Sequence, residues 1–134
     1  PSDGIDVLSK VGGLDLAALT GFYLGCAYWR IPVVLDGLIT GAAALAAVKL
    51  CPAVADYLLA SHVSAEPAGQ AVLASLGLKA AIQAGMCLGE GTGAAAFFPM
   101  LDMALTIYSK MDTFQDIQVK PYCHFEEDKN EDKE

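Results

Sequence analysis

Apolar residues along the chain fall into two kinds of run. Leu16, Leu19, Phe22 or Tyr23, and Cys26 recur at helical spacing, which predicts a helix over residues 14–29. Gly12-Gly13 breaks the chain ahead of it, so that residues 1–11 read as a connector. Ile31-Pro32 ends the helix, because the residue before proline avoids helical angles. Val33-Val34-Leu35 is instead continuously apolar and β-branched and stops at Asp36-Gly37, the pattern of a buried parallel strand followed by a turn. Residues 40–50 are Ala-rich and helix-favouring. Pro52 suits the first turn of another short helix.

The alternation continues. Residues 57–61 read as a second buried strand, followed by a loop through His62, Ser64, Glu66 and Pro67. Residues 70–76 are helical, with Gly77 as the stop. Residues 83–88 are a third strand-like element, weakened by Gly85. Gly89-Glu90-Gly91-Thr92-Gly93 is a turn, and residues 94–111 form a long helix with Pro99 in its first two turns. The chain from Gln118 onward reads as extended and then charged, with a disordered end. Strand and helix in alternation argue for βαβ units and a parallel sheet, an α/β fold with no internal repeat. Ligands in such sheets bind beyond the carboxyl ends of the strands. Three polar loops fall there: Asp36-Gly37, residues 61–66 and residues 89–93.

The 134 residues suffice for one domain, and 54% apolar against 18% charged residues places the chain among globular proteins. The formal charge of −8 misleads, because the last nine residues carry six acids and two bases. What remains is mildly acidic, and no cluster of Lys and Arg exists to grip a nucleic-acid backbone. The apolar stretch 38–48 is too short to span a membrane, and the N-terminus lacks the pattern of a signal peptide, so a cytoplasmic protein is the default expectation. Cys26, Cys51, Cys87 and Cys123 show no metal-ligand spacing. They are expected as free thiols, three of them in or near the core.

The most informative stretch is the turn at Glu90, where one carboxylate sits among three glycines directly before a helix. Glycines allow close backbone approach, the helix N-terminus offers amides to an anion such as phosphate, and Thr92 can cap the helix. Taken alone, Glu90 either acts chemically or merely complements the helix dipole. Asp36 is either a ligand to a sugar hydroxyl or a cap for the helix that follows it. Ser64 and Glu66 either hold phosphate or ribose or cap the helix starting near Pro67. His62 is an acid or base by residue type, with a structural role favoured, and His124 reads as solvated. No Ser-His-Asp set, Walker loop or metal triad can be assembled, which argues against a hydrolase, an ATPase or a metalloenzyme.

At these residues the chain resembles the nicotinate-nucleotide–dimethylbenzimidazole phosphoribosyltransferase family of cobalamin lower-ligand assembly. Four motifs carry the likeness, in order: Val11-Gly12-Gly13-Leu14-Asp15-Leu16-Ala17-Ala18, Pro32-Val33-Val34-Leu35-Asp36-Gly37-Leu38-Ile39, Ser61-His62-Val63-Ser64-Ala65-Glu66-Pro67, and Leu88-Gly89-Glu90-Gly91-Thr92-Gly93-Ala94-Ala95. The closing segment 111–114 matches as well. The resemblance implies a Rossmann-like parallel sheet flanked by helices, here a partial domain of a larger enzyme over residues 1–117; the extended, acidic tail over 118–134 has no counterpart in it. It implies Glu90 as the catalytic base, and Ser64, Gly89, Gly91, Thr92, Asp36 and Leu88 as substrate-binding residues. It further implies nicotinate mononucleotide and a dimethylbenzimidazole-type base as substrates, no metal or cofactor, and a homodimer. Family members are about two and a half times longer, and their N-terminal half carries the aromatic-base pocket and another phosphate loop. The alternative to an enzyme is therefore a non-catalytic nucleotide-binding or assembly module.

Overall fold

The computed structural model describes residues 3–120, which form two compact units meeting at residues 102 and 103. The first unit holds a βαβ core. Strand β1 (Val33–Leu35) leads into helix α3 (Leu38–Leu50), a short 3₁₀ helix (Pro52–Tyr57) and strand β2 (Leu58–Ala60). The two strands pair in parallel, Val33 opposite Leu58 and Leu35 opposite Ala60. Helices α1 (Gly4–Val11), α2 (Leu14–Tyr28) and α4 (Gly69–Leu76) complete the layer, and helix α5 (Thr92–Lys110) begins in the first unit and ends in the second.

Helix α3 is the central element, touched by α1, α2, α4 and the 3₁₀ helix. That position explains its alanines. Ala43, Ala44 and Ala47 are fully buried, and a side chain at Gly41 would press on Val72 of α4. A helix crowded on several sides needs small residues all round, so helix propensity is only part of the reason for its composition. Val54 of the 3₁₀ helix and Leu35 and Leu58 of the strands close the core beneath it.

Helix α2 contributes Thr20, Tyr23 and Cys26. The Thr20 hydroxyl reaches back to the Leu16 carbonyl (2.7 Å) and across to that of Ala43 (3.2 Å). Tyr23 donates its hydroxyl to the Thr40 carbonyl at 3.3 Å. The helix ends in a Schellman arrangement, with Ile31 N donating to the Cys26 carbonyl and Arg30 N to that of Ala27. Arg30, at φ 58°, occupies the left-handed position usually given to glycine, so the backbone has already turned before Pro32.

Four expectations require correction. Residues 4–11 are a helix, capped by the Asp3 carboxylate, which accepts from the amides of Ile5 (2.9 Å) and Asp6 (3.3 Å). An Asp6–Lys10 pair spans one turn of it. Residues 83–88 are not a strand. The chain meets β2's extension only through a bridge between His62 and Ile82 and a bond from Ala65 N to the Met86 carbonyl, because Gly85 turns left-handed at φ 63°. Of the cysteines, Cys26 alone is buried among the described residues, while Cys51 and Cys87 are exposed. Cys123, His124 and the charged end of the tail lie outside the described residues, and Gln118, where extended chain was expected to begin, still belongs to a turn over residues 114–118. In the second unit the Asp116 carboxylate accepts from the amide and hydroxyl of Thr113, which holds its pKa low.

At the sheet edge, α5 approaches β2's extension closely enough that a Cβ at Gly93 would overlap the buried His62 ring. Gly93→Ala should therefore cost about 1–3 kcal/mol through overpacking, read as a lowered Tm. A Tm unchanged from the parent would show that the ring yields freely. Burial, and secondarily the neighbouring Cys26, pushes the Tyr23 pKa up to about 12. The folded state then holds a proton that the unfolded state releases above pH 10, so this contribution is fully present below pH 10 and is lost between 10 and 12. A two-unit shift corresponds to roughly 2–3 kcal/mol. Denaturant melts of Tyr23→Phe should lack the extra loss of stability over that range.

Candidate active site

The structure brings the three loops together. A cavity of about 400 Å³ lies beyond the carboxyl ends of β1 and β2. Asp36, Gly37, His62, Ser64, Leu88 and Glu90 are among its lining residues, together with Gly89 and Gly91 and the first turn of α3. That volume is within the range of small-molecule sites. Thr92 is not part of the lining.

The walls are tied to each other by hydrogen bonds from β2's end. Ser61 is fully buried, and its hydroxyl donates to the Leu35 carbonyl at 2.6 Å, with the Asp36 carbonyl at 3.1 Å. With that proton committed to carbonyls, the 3.1 Å contact from Ser61 Oγ to His62 Nδ1 requires Nδ1–H to donate. Nε2 is left as the ring's other hydrogen-bonding atom. It bonds no described residue, and no enclosed polar side-chain atom is without a partner among the described residues, so Nε2 opens on the cavity that His62 lines. The histidine is thus held structurally on one side and available on the other.

Ser64 and Glu66 bond to one another. The Ser64 hydroxyl donates to the Glu66 carboxylate at 3.0 Å and accepts from the Glu66 amide at 3.3 Å. Neither caps α4, whose N-cap residue is Ala68. Gly69 is packed so tightly under this loop that a Cβ there would strike the Ser64 backbone.

The Asp36 side chain does not make the local cap that was one of the two expectations for it. The N-cap of α3, the helix that follows, is Gly37 and has no side-chain cap. The Asp36 carboxylate instead crosses to the N-terminus of α5 and accepts from Gly91 N (3.2 Å), Gly93 N (2.8 Å) and Ala94 N (3.1 Å). Thr92 does not cap this helix either, since its amide and its hydroxyl both donate to the Gly89 carbonyl. The amides at the start of α5 are therefore occupied, which removes them as the expected anion cradle. The first turn of α3, uncapped and lining the cavity, remains as a helix N-terminus open to an anion.

Glu90 sits in a left-handed run: φ is 76° at Gly89, 57° at Glu90 and 79° at Gly91. Glycine adopts this conformation freely, but at Glu90 it costs about 1–2 kcal/mol. A side-chain cap is worth about 0.5–2 kcal/mol, so the Asp36 cap is of the size needed to offset that strain. Glu90 is exposed, and its carboxylate has no hydrogen-bond or ion-pair partner among the described residues. Since Asp36 already supplies the carboxylate at α5's positive end, a dipole-balancing role for Glu90 is redundant. Sequence reasoning missed the long-range cap. The available signal was Gly91 at the N-cap position, which has no side chain of its own.

Comparison with known proteins places these features in context. Residues 1–119 match a family model described as phosphoribosyltransferase. The chain is 48% identical over 122 residues to the nicotinate-nucleotide–dimethylbenzimidazole phosphoribosyltransferase of Ruminiclostridium cellulolyticum, covering 91% of this chain and 35% of that protein. It is 52% identical over 118 residues to the enzyme of the same name from Desulforamulus reducens, covering 88% and 34%. The crystal structure of the Thermus thermophilus enzyme superposes with a TM-score of 0.82 at 40% identity, over 90% of this chain and 36% of that one. The chain thus spans about a third of the length of the curated relatives it matches. With a matching family model over most of its residues, and with close likeness in sequence and fold to enzymes of this one name, the chain belongs to the nicotinate-nucleotide–dimethylbenzimidazole phosphoribosyltransferase family.

Proposed function

We propose that the protein joins a dimethylbenzimidazole-type base to the ribose of nicotinate mononucleotide, releasing nicotinate, with Glu90 as the general base. The observation that carries this reading is the Glu90 carboxylate, unpartnered among the described residues and presented at the cavity by a left-handed glycine-flanked turn. One ring nitrogen of the incoming base attacks C1′, and the other must lose its proton, which Glu90 takes. Nicotinate leaves as a neutral pyridine and needs no acid. Attack opposite the leaving group inverts C1′ and gives an α-ribotide.

The first turn of α3 and the Ser64 loop are suited to the phosphate and ribose, with His62 Nε2 as a further polar contact. Among the described residues the cavity lining contains no Lys or Arg, so backbone amides carry the recognition of phosphate in this part of the site. Leu88 supplies apolar surface, 72% exposed, for an aromatic ring. Exposed Leu14, Phe22, Tyr28 and Trp29 on α2 and at its end provide apolar surface for the homodimer this reading includes. The second reading is a non-catalytic nucleotide-binding module, for which the open first turn of α3 and the Ser64 loop would suffice.

General-base assistance is worth on the order of 10²–10⁴ in rate, so Glu90→Gln in the full-length protein should lose that factor in kcat while its Kd for nicotinate mononucleotide changes little. Undiminished turnover would remove Glu90 from the mechanism. Calorimetric titration of the parent with the nucleotide separates the two readings further, since binding without any turnover when both substrates are present supports the module.

A further inference from the structure

We infer that Asp36 is a positioning residue for the general base and not a ligand of the sugar, an inference that rests on the assignment of Glu90 as that base. Its backbone is fixed at the end of β1, where Ser61 Oγ binds the carbonyls of Leu35 and Asp36. Its side chain is committed elsewhere: Oδ2 accepts from Gly91 N, and Oδ1 from both Gly93 N and Ala94 N. These three amides begin one residue after Glu90. The carboxylate therefore links the sheet edge to the turn that carries the base.

The link has a conformational purpose. Three successive residues, 89–91, hold positive φ, and Glu90 is the one among them with a side chain that opposes it. On its C-terminal side the run is held by Asp36 at Gly91, and by the Thr92 amide and hydroxyl that close back on the Gly89 carbonyl. Without the Asp36 carboxylate, the Gly91, Gly93 and Ala94 amides lose their acceptor, and the turn is free to relax toward right-handed angles that swing Glu90 away from its present position. Gly93, pressed between His62 and Asp36 Oδ1, fixes the distance over which the carboxylate must reach.

A sugar ligand and a positioning residue differ in what their loss does. Kinetics of Asp36→Ala, Asp36→Asn, Glu90→Gln and the double variant D36A/E90Q in the full-length protein separate them. Asp36→Ala should lower kcat roughly 10–100-fold while KM for nicotinate mononucleotide moves less than about threefold. Asp36→Asn should fall between it and the parent, because its amide oxygen still accepts from Gly93 and Ala94, and it serves as the test if the alanine variant does not fold. In the Glu90→Gln background, Asp36→Ala should add less than about a threefold further loss, since it acts through the group already removed. A raised KM with kcat preserved, or a double variant with fully multiplicative losses, overturns the inference. If Glu90→Gln itself retains turnover, the general-base assignment fails, and amide hydrogen exchange then decides the matter for the turn. Exchange at Gly91, Gly93 and Ala94 accelerated in Asp36→Asn, with Ala44 and Ala47 unchanged, keeps Asp36 as the group that holds the turn, and unaltered exchange at all three removes it.

Discussion

One carboxylate connects the sheet to the helix that completes the site. Asp36 leaves the end of β1 and takes up three amides at the start of α5, residues 55–58 positions further along the chain. Those amides carry the positive end of the helix dipole, and a helix whose N-cap residue is glycine has no local means of satisfying them. The bond accordingly serves the fold and the site together. It anchors α5 against the strand ends, and it holds the turn before that helix in a conformation Glu90 would not choose.

The rest of the site follows from how closely the backbones approach one another. Ser61 bonds the carbonyls at the end of the neighbouring strand, His62 is held through Nδ1 by that same hydroxyl, and Gly93 leaves room for the imidazole beside the Asp36 carboxylate. Gly69 leaves room for the Ser64 loop in the same way. Each contact is polar or steric and each fixes one wall of the cavity against another. The apolar core beneath, built around Ala43, Ala44 and Ala47 of α3, keeps the two strands in register so that the walls arrive together.

The division between committed and uncommitted groups is the functional content of this arrangement. Asp36 and Ser61 are engaged by backbone groups, and Ser64 and Glu66 by each other. Glu90 and His62 Nε2 stand at the cavity without protein partners among the described residues. Groups left without internal partners are those free to meet a ligand in the cavity, and those fully engaged set its geometry.

The sequence by itself determined the order and type of most elements. Periodicity located α2, Pro32 and Pro52 marked boundaries, Val33-Val34-Leu35 identified a strand, though only Leu35 of the three is fully buried, and Gly77 stopped α4, because each of these signals acts between near neighbours in the chain. It also carried the four ordered motifs of the family and singled out Glu90. The helix at residues 4–11 was legible too, in the Asp3 cap and the Asp6–Lys10 spacing, although Gly12-Gly13 breaks it off after about two turns. The fate of residues 83–88 was not legible, since whether a short apolar run pairs as a strand depends on the angle at Gly85 and on what lies beside it. Only the tertiary structure decided which carboxylate caps α5, which amides remain open to an anion, and that Asp36 serves a helix more than fifty residues away. Hydrogen bonds of that kind depend on distances across the fold, and no local pattern of residue types encodes them.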